Sequence, residues 1–132
     1  HELIFDLGIG DVFSIRIAGN VINDDILGSM EFATKVVGSK YILVLGHTSC
    51  GAVQGAKDQV ELGNLTSLVH KIQPAVEAGA GMDVNEIAEL NVKLTIKDIL
   101  KKSPILKDLY ENKQIGISGA MYDVTTGKVE YL

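Results

Sequence analysis

Apolar and polar positions along the chain divide it into short alternating segments. Residues 2–6 read as a helical turn ending at Gly8. Residues 12–17 (V-F-S-I-R-I) alternate and are rich in β-branched side chains, which predicts a strand closed by Ala18-Gly19-Asn20. Asp24 or Asp25 is positioned to cap a helix that runs to Val37, with Gly38 as its stop. The continuous apolar run 41–45 (Y-I-L-V-L) has the pattern of a central strand buried on both faces. A helix is expected from Ala52 to Gln59, and another over 65–78 that Pro74 kinks or interrupts.

The longest helix is predicted over 84–100. It has too many apolar positions for one narrow stripe, which implies burial on more than one side, as against another subunit. Ser103-Pro104 reads as an N-cap followed by proline at the first helical position, opening a helix to Asn112. Residues 115–124 alternate as a strand, and Thr125-Thr126-Gly127-Lys128 turns the chain into a last strand, 129–132. Strands alternating with helices predict an α/β fold: a mostly parallel central β-sheet flanked by helices, with an antiparallel C-terminal edge hairpin. No linker or repeat divides residues 1–132, which read as a single domain.

Composition narrows the function classes. A net charge of −5 argues against a nucleic-acid partner, which needs clustered cations to neutralise phosphates. The pair Lys101-Lys102 sits near a helix C-terminus, where cations favour the dipole. One cysteine excludes an internal disulfide and fits a reducing, cytoplasmic setting. No apolar run approaches the roughly 18 residues of a membrane span.

Chemistry concentrates at His47-x-x-Cys50, where the apolar strand gives way to a helix. Ligand sites of open α/β sheets lie at the carboxyl ends of strands, and imidazole and thiolate are both good zinc donors. The alternative is a buried cysteine beside a hydrogen-bonded histidine, because H-x-x-C alone is a weak motif. A catalytic zinc usually takes three protein ligands, so two donors are too few. The other histidines are His1 and His70, and His70 reads as an ordinary helix residue. A nucleotide-binding reading of Gly8-Ile9-Gly10 fails on context, because the glycines precede a predicted strand. A redox role for Cys50 lacks a resolving partner.

Several blocks together carry a resemblance. Gly46-His47-Thr48-Ser49-Cys50-Gly51 resembles the G-H-[ST]-x-C-G signature of β-carbonic anhydrases. Gly10-Asp11-Val12-Phe13 and Arg16-x-Ala18-Gly19-Asn20 resemble the family's G-D-x-F-x-x-R-x-A-G-N block, and Ser29-Met30-Glu31-Phe32-Ala33 its S-[LI]-E-[YF]-A helix. Gly63-Asn64-Leu65, Asn91-Val92, Ser103-Pro104-Ile105-Leu106 and Gly119-Ala120-x-Tyr122-Asp123-x-x-Thr126-Gly127 follow in the family's order, so the resemblance spans essentially the whole chain.

The resemblance implies reversible hydration of CO2 to bicarbonate and a proton by a zinc-bound hydroxide, with Zn2+ as cofactor. It implies His47 and Cys50 as metal ligands and Phe13, Ala18, Phe32 and Gly51 as the substrate pocket. Phe32 stands where plant members have tyrosine. Arg16 and Tyr122 match residues of a non-catalytic anion site in bicarbonate-inhibited members, although a strand arginine is more often structural. Family members carry C-x-D-x-R before the position of His1, supplying a second cysteine ligand and an Asp–Arg dyad. These 132 residues lack that segment and the strand leading into it, so the sequence reads as N-terminally incomplete. No catalytic residue beyond the metal site is therefore expected within the chain. The family also implies a homodimer or higher homo-oligomer. Two other readings stand beside it: a zinc-deficient fragment serving only as a dimerisation scaffold, and a related CS2 or COS hydrolase.

Overall fold

The computed structural model describes all 132 residues. A short helix α1 (Glu2–Phe5) leads into an irregular stretch and a tight turn over Ala18–Asn20. Helix α2 (Asp24–Glu31) follows, then a π-helical segment (Phe32–Val37) and strand β1 (Tyr41–His47). Helices α3 (Gly51–Lys57), α4 (Gly63–His70), α5 (Gln73–Ala78), α6 (Val84–Lys102) and α7 (Pro104–Glu111) then precede β2 (Gly116–Tyr122) and β3 (Val129–Tyr131).

The sheet is mixed, in the order β1-β2-β3. β1 and β2 run parallel from the pair Tyr41–Gly116 to the pair His47–Tyr122, and β3 folds back antiparallel on β2. The predicted α/β class with a parallel core and antiparallel edge hairpin is the observed one.

α6 lies across one face of the sheet, and glycine sets the distance. A β-carbon at Gly46 would come within 2.6 Å of Val92 Cγ2, and one at Gly119 within 2.5 Å of Val92 Cγ1. These two positions let the helix approach the strands more closely than any side chain permits. Along α6, Ile87, Ala88, Asn91, Val92, Thr95 and Ile99 form the buried stripe, flanked by half-buried Val84, Leu94, Ile96 and Leu100. α6 also packs against α5 and α7, so the burial on more than one side arises within the chain itself.

Local signals place the helix ends. Asp83 and Glu86 form a reciprocal capping box at the start of α6, and the Ser103 hydroxyl accepts the Leu106 N–H at the start of α7. For α2 the cap is Asn23, whose Oδ1 accepts the Ile26 N–H at 2.9 Å, and not Asp24 or Asp25. The backbone of Asn23 is extended, as an N-cap requires, whereas the two aspartates lie inside the first turn, where their charge favours the dipole. The predicted helix over 65–78 is two helices, broken at Lys71-Ile72, with Pro74 in the first turn of α5 where its missing N–H is harmless.

Two strand expectations change. Residues 12–17 form no strand: Ile17 is extended, but no backbone N–H of the segment donates to another backbone carbonyl, and every residue in it is exposed. An extended segment without a neighbouring strand has no ladder to join. β1, expected as a central strand, is an edge strand of this sheet, and its burial alternates. Ile42, Val44 and Gly46 are buried, while Leu43 and Leu45 are half-exposed. A cavity of about 660 Å3 runs along this open edge, lined by Leu43 and Leu45 together with Val12, Phe13, Ile15 and Ile17.

Candidate metal centre

The carboxyl end of β1 delivers His47, and the start of α3 delivers Cys50. His47 is the last strand residue and is exposed to solvent. Its ring Nδ1 lies 2.8 Å from the Thr48 carbonyl oxygen. A carbonyl only accepts, so Nδ1 carries a proton, and in the neutral ring that tautomer puts the ligating lone pair on Nε2. Cys50 is a free, buried thiol immediately before α3, and no hydrogen bond reaches its sulfur.

The two-residue turn between them is held to the sheet and to α6. The Thr48 N–H donates to the Tyr122 carbonyl at 3.0 Å, extending the parallel ladder one residue past the strand. The Thr48 hydroxyl accepts the Val124 N–H at 3.0 Å. Ser49 has φ of 53°, the left-handed region that a residue with a β-carbon occupies at a cost of about 1–3 kcal/mol. Its N–H donates to Asn85 Oδ1 at 2.9 Å. Cys50 is extended and its carbonyl accepts the Gln54 N–H, which starts α3.

The expected pocket residues fall into two groups. The Phe13 and Phe32 rings meet edge to face with centroids 6.2 Å apart. Both residues are exposed, Phe13 on the irregular segment and Phe32 at the first position of the π-helical turn. Ala18 opens the turn that packs toward the start of α3: a β-carbon on Gly19 would lie 3.3 Å from Ala52 Cβ. The backbone there is anchored by Asn91, whose Nδ2 donates to the Gly19 carbonyl at 2.7 Å. Gly51 opens α3, and a β-carbon there would meet nothing within 4 Å. Asn20, at the end of the same turn, keeps its side-chain amide nitrogen buried without a partner.

Other expected residues stand apart from the donors. Arg16 is exposed and forms no ion pair, whereas Tyr122 pairs with His47 across the sheet, and no hydrogen bond joins the two. His70 is exposed at the end of α4. No set of three or more His, Cys, Asp or Glu side chains converges anywhere in the chain. His47 and Cys50 thus fit a zinc site in chemistry and tautomer, but they supply only two of its donors. Sequence reasoning did not single out Thr48, Ser49, Asn85 and the Tyr122 carbonyl as parts of the turn. The capping box Asp83-x-x-Glu86 marks the start of α6 in the sequence, but the approach of Asn85 to Ser49 does not show there.

Fold and turn together define an α/β protein with two candidate donors at the carboxyl end of a parallel strand. The chain matches the carbonic anhydrase family model over residues 1–129. It is 34% identical to carbonic anhydrase 2 of Mycobacterium tuberculosis over 135 residues, covering 96% of this chain and 65% of that protein. It is 35% identical to a carbonic anhydrase of Mycolicibacterium smegmatis, covering 98% of this chain and 66% of that one. Among solved structures, a tetrameric β-carbonic anhydrase from Sordaria macrospora superposes with a TM-score of 0.90 at 24% identity, covering 99% of this chain and 73% of that one, which shows the shared fold. The carbonic anhydrase of Streptococcus mutans gives 0.66 at 32% identity, covering 98% and 72%. This chain belongs to the β-carbonic anhydrase family. It spans just under two thirds of the length of its mycobacterial relatives.

Proposed function

We propose that this chain is the core of an enzyme that hydrates CO2 reversibly to bicarbonate and a proton, with His47 and Cys50 as two of its zinc ligands. The observation that carries the reading is the donor turn itself. The Nδ1 contact to the Thr48 carbonyl directs ligation to Nε2 of His47, three residues away from a buried thiol with no competing hydrogen bond. Zinc, when bound, lowers the pKa of its water toward 7 and makes hydroxide available at neutral pH.

The chain's own residues do the rest of what is assigned to them. His47 is held by its Nδ1 contact to the Thr48 carbonyl, and Cys50 is kept out of solvent. Phe13, Ala18, Phe32 and Gly51 are the residues assigned to the surroundings of CO2, a small molecule without a hydrogen-bond donor. Two donors leave a catalytic zinc one protein ligand short of the usual three. Arg16 and Tyr122 are the candidate contacts for a second, non-catalytic bicarbonate. The working protein is a homo-oligomer, as the Sordaria macrospora relative is by its description.

Stopped-flow CO2 hydration on the complete protein tests the reading. Activity that a chelator abolishes and added zinc restores is the expected result. Zinc-containing protein that turns over COS or CS2 but not CO2 would move the assignment to those substrates. Protein with neither zinc nor turnover would leave only a scaffold role.

A further inference from the structure

The turn from His47 to Cys50 has one joint. Before it, Thr48 is fixed to the sheet through its N–H and its hydroxyl. After it, Cys50 is fixed by the first hydrogen bond of α3. Between them stands Ser49, in the left-handed region and bonded to no backbone carbonyl. The one acceptor for its N–H is the side-chain oxygen of Asn85, 36 residues further along the chain. Because the partner is an N–H, the orientation of the Asn85 amide is settled by chemistry: the oxygen faces Ser49.

Asn85 is itself firmly based. It is the second residue of α6, one after the first helical position, inside the capping box in which the Asp83 carboxylate accepts the Glu86 N–H at 2.9 Å. The body of α6 is pressed onto β1 at Gly46, one residue before His47. The helix that packs against the donor strand therefore also holds the joint of the donor turn. The Asn85 side chain is exposed and contributes nothing to the core.

We infer that Asn85 is a positioning residue for the metal donors, holding Ser49 in the conformation that sets His47 and Cys50 relative to one another. The inference rests on the assignment of His47 and Cys50 as zinc ligands. Its physical basis is that hydrogen-bonded supports fix ligand geometry: losing a group bonded directly to a ligand typically weakens metal binding about 10–100-fold, and Asn85 acts one step further out, through Ser49.

Asn85→Ala and Asn85→Asp variants of the complete protein test it, the second keeping the acceptor oxygen. In metal-free protein, hydrogen exchange at the Ser49 amide is expected to be slow in the parent and in Asn85→Asp, and fast in Asn85→Ala. Zinc affinity, read by competition with a chromophoric chelator at high salt so that the added aspartate charge is screened, should fall about tenfold in Asn85→Ala. It should recover in Asn85→Asp. The thiolate-to-cobalt absorption of the cobalt(II)-substituted protein should change in Asn85→Ala alone, with thermal stability of the metal-free protein unaltered. Unchanged affinity and cobalt spectrum in Asn85→Ala overturn the inference, and so does an equal loss in both variants. His47→Ala and Cys50→Ser controls separate the two claims. If they bind zinc like the parent, the ligand assignment fails, while Ser49 exchange still reports the hold of Asn85 on the turn.

Discussion

At the scale of single residues, the site and its support depend on a few atoms with no slack. Gly119 is the clearest case. A methyl group there would meet Val92 Cγ1 at 2.5 Å and Ile96 Cδ1 at 3.1 Å, and Val92 is a fully buried β-branched residue on a helix with little rotamer freedom. Overpacking of this kind costs typically about 1–3 kcal/mol. Gly119→Ala should lower unfolding stability by that amount, seen as a lower denaturant midpoint at an unchanged m-value, and an unaltered midpoint would mean that α6 is free to move off the sheet. The candidate donors His47 and Cys50 were legible in the sequence, because residue type and the strand-to-helix transition sit within one short motif. Ser49 and Asn85 were not legible as a pair, since their hydrogen bond joins positions brought together only when α6 docks. The caps show the same division: Ser103 was readable from the proline after it, whereas Asn23 took the place expected of Asp24 or Asp25 through its extended backbone.

Elements are tied to the donor turn through the C-terminal hairpin. The Asp123 carboxylate accepts the N–H groups of Thr125 and Thr126 at 2.8 and 3.3 Å, and these bonds hold its pKa below the ordinary carboxylate value. Its folded pKa is depressed, so the associated stability is present above the unfolded value and is lost as pH falls through the folded one. An Asp123→Asn variant keeps an acceptor at this position but does not titrate. Denaturant unfolding followed from about pH 5 downward should therefore show less acid destabilisation in the variant than in the parent. Identical pH profiles would remove Asp123 as the cause. The neighbouring Val124 N–H reaches Thr48, so this turn also braces the segment that carries His47. Of the elements, α6, α7, β2 and the hairpin follow closely from periodicity, capping and turn signals. Segment 12–17 does not, because its alternation describes a strand while strand formation needs a neighbour. The run 41–45 is a strand as expected, but its place at the sheet edge is a property of the topology, which an apolar run does not encode.

At the scale of the whole molecule, the chain exposes 8141 Å2, against roughly 6,800 Å2 for a compact monomer of its mass. The excess is of the order that a subunit contributes to a standard interface or more. Much of the exposed surface is apolar: Leu3 and Ile9 are fully exposed, and Val36, Val37 and Tyr41 are more than half exposed. Exposed apolar surface on this scale is the kind that marks contact sites in proteins generally. The candidate metal centre holds two donors where a catalytic zinc usually takes three. His47 and Cys50 are proposed above as ligands of a zinc ion. Zinc content of the complete protein and of its His47→Ala and Cys50→Ser variants, purified without chelator and compared at equal fold stability, tests this most directly. The account predicts about one zinc per chain in the parent and nearly none in either variant; zinc retained at the parental level in either variant would contradict it.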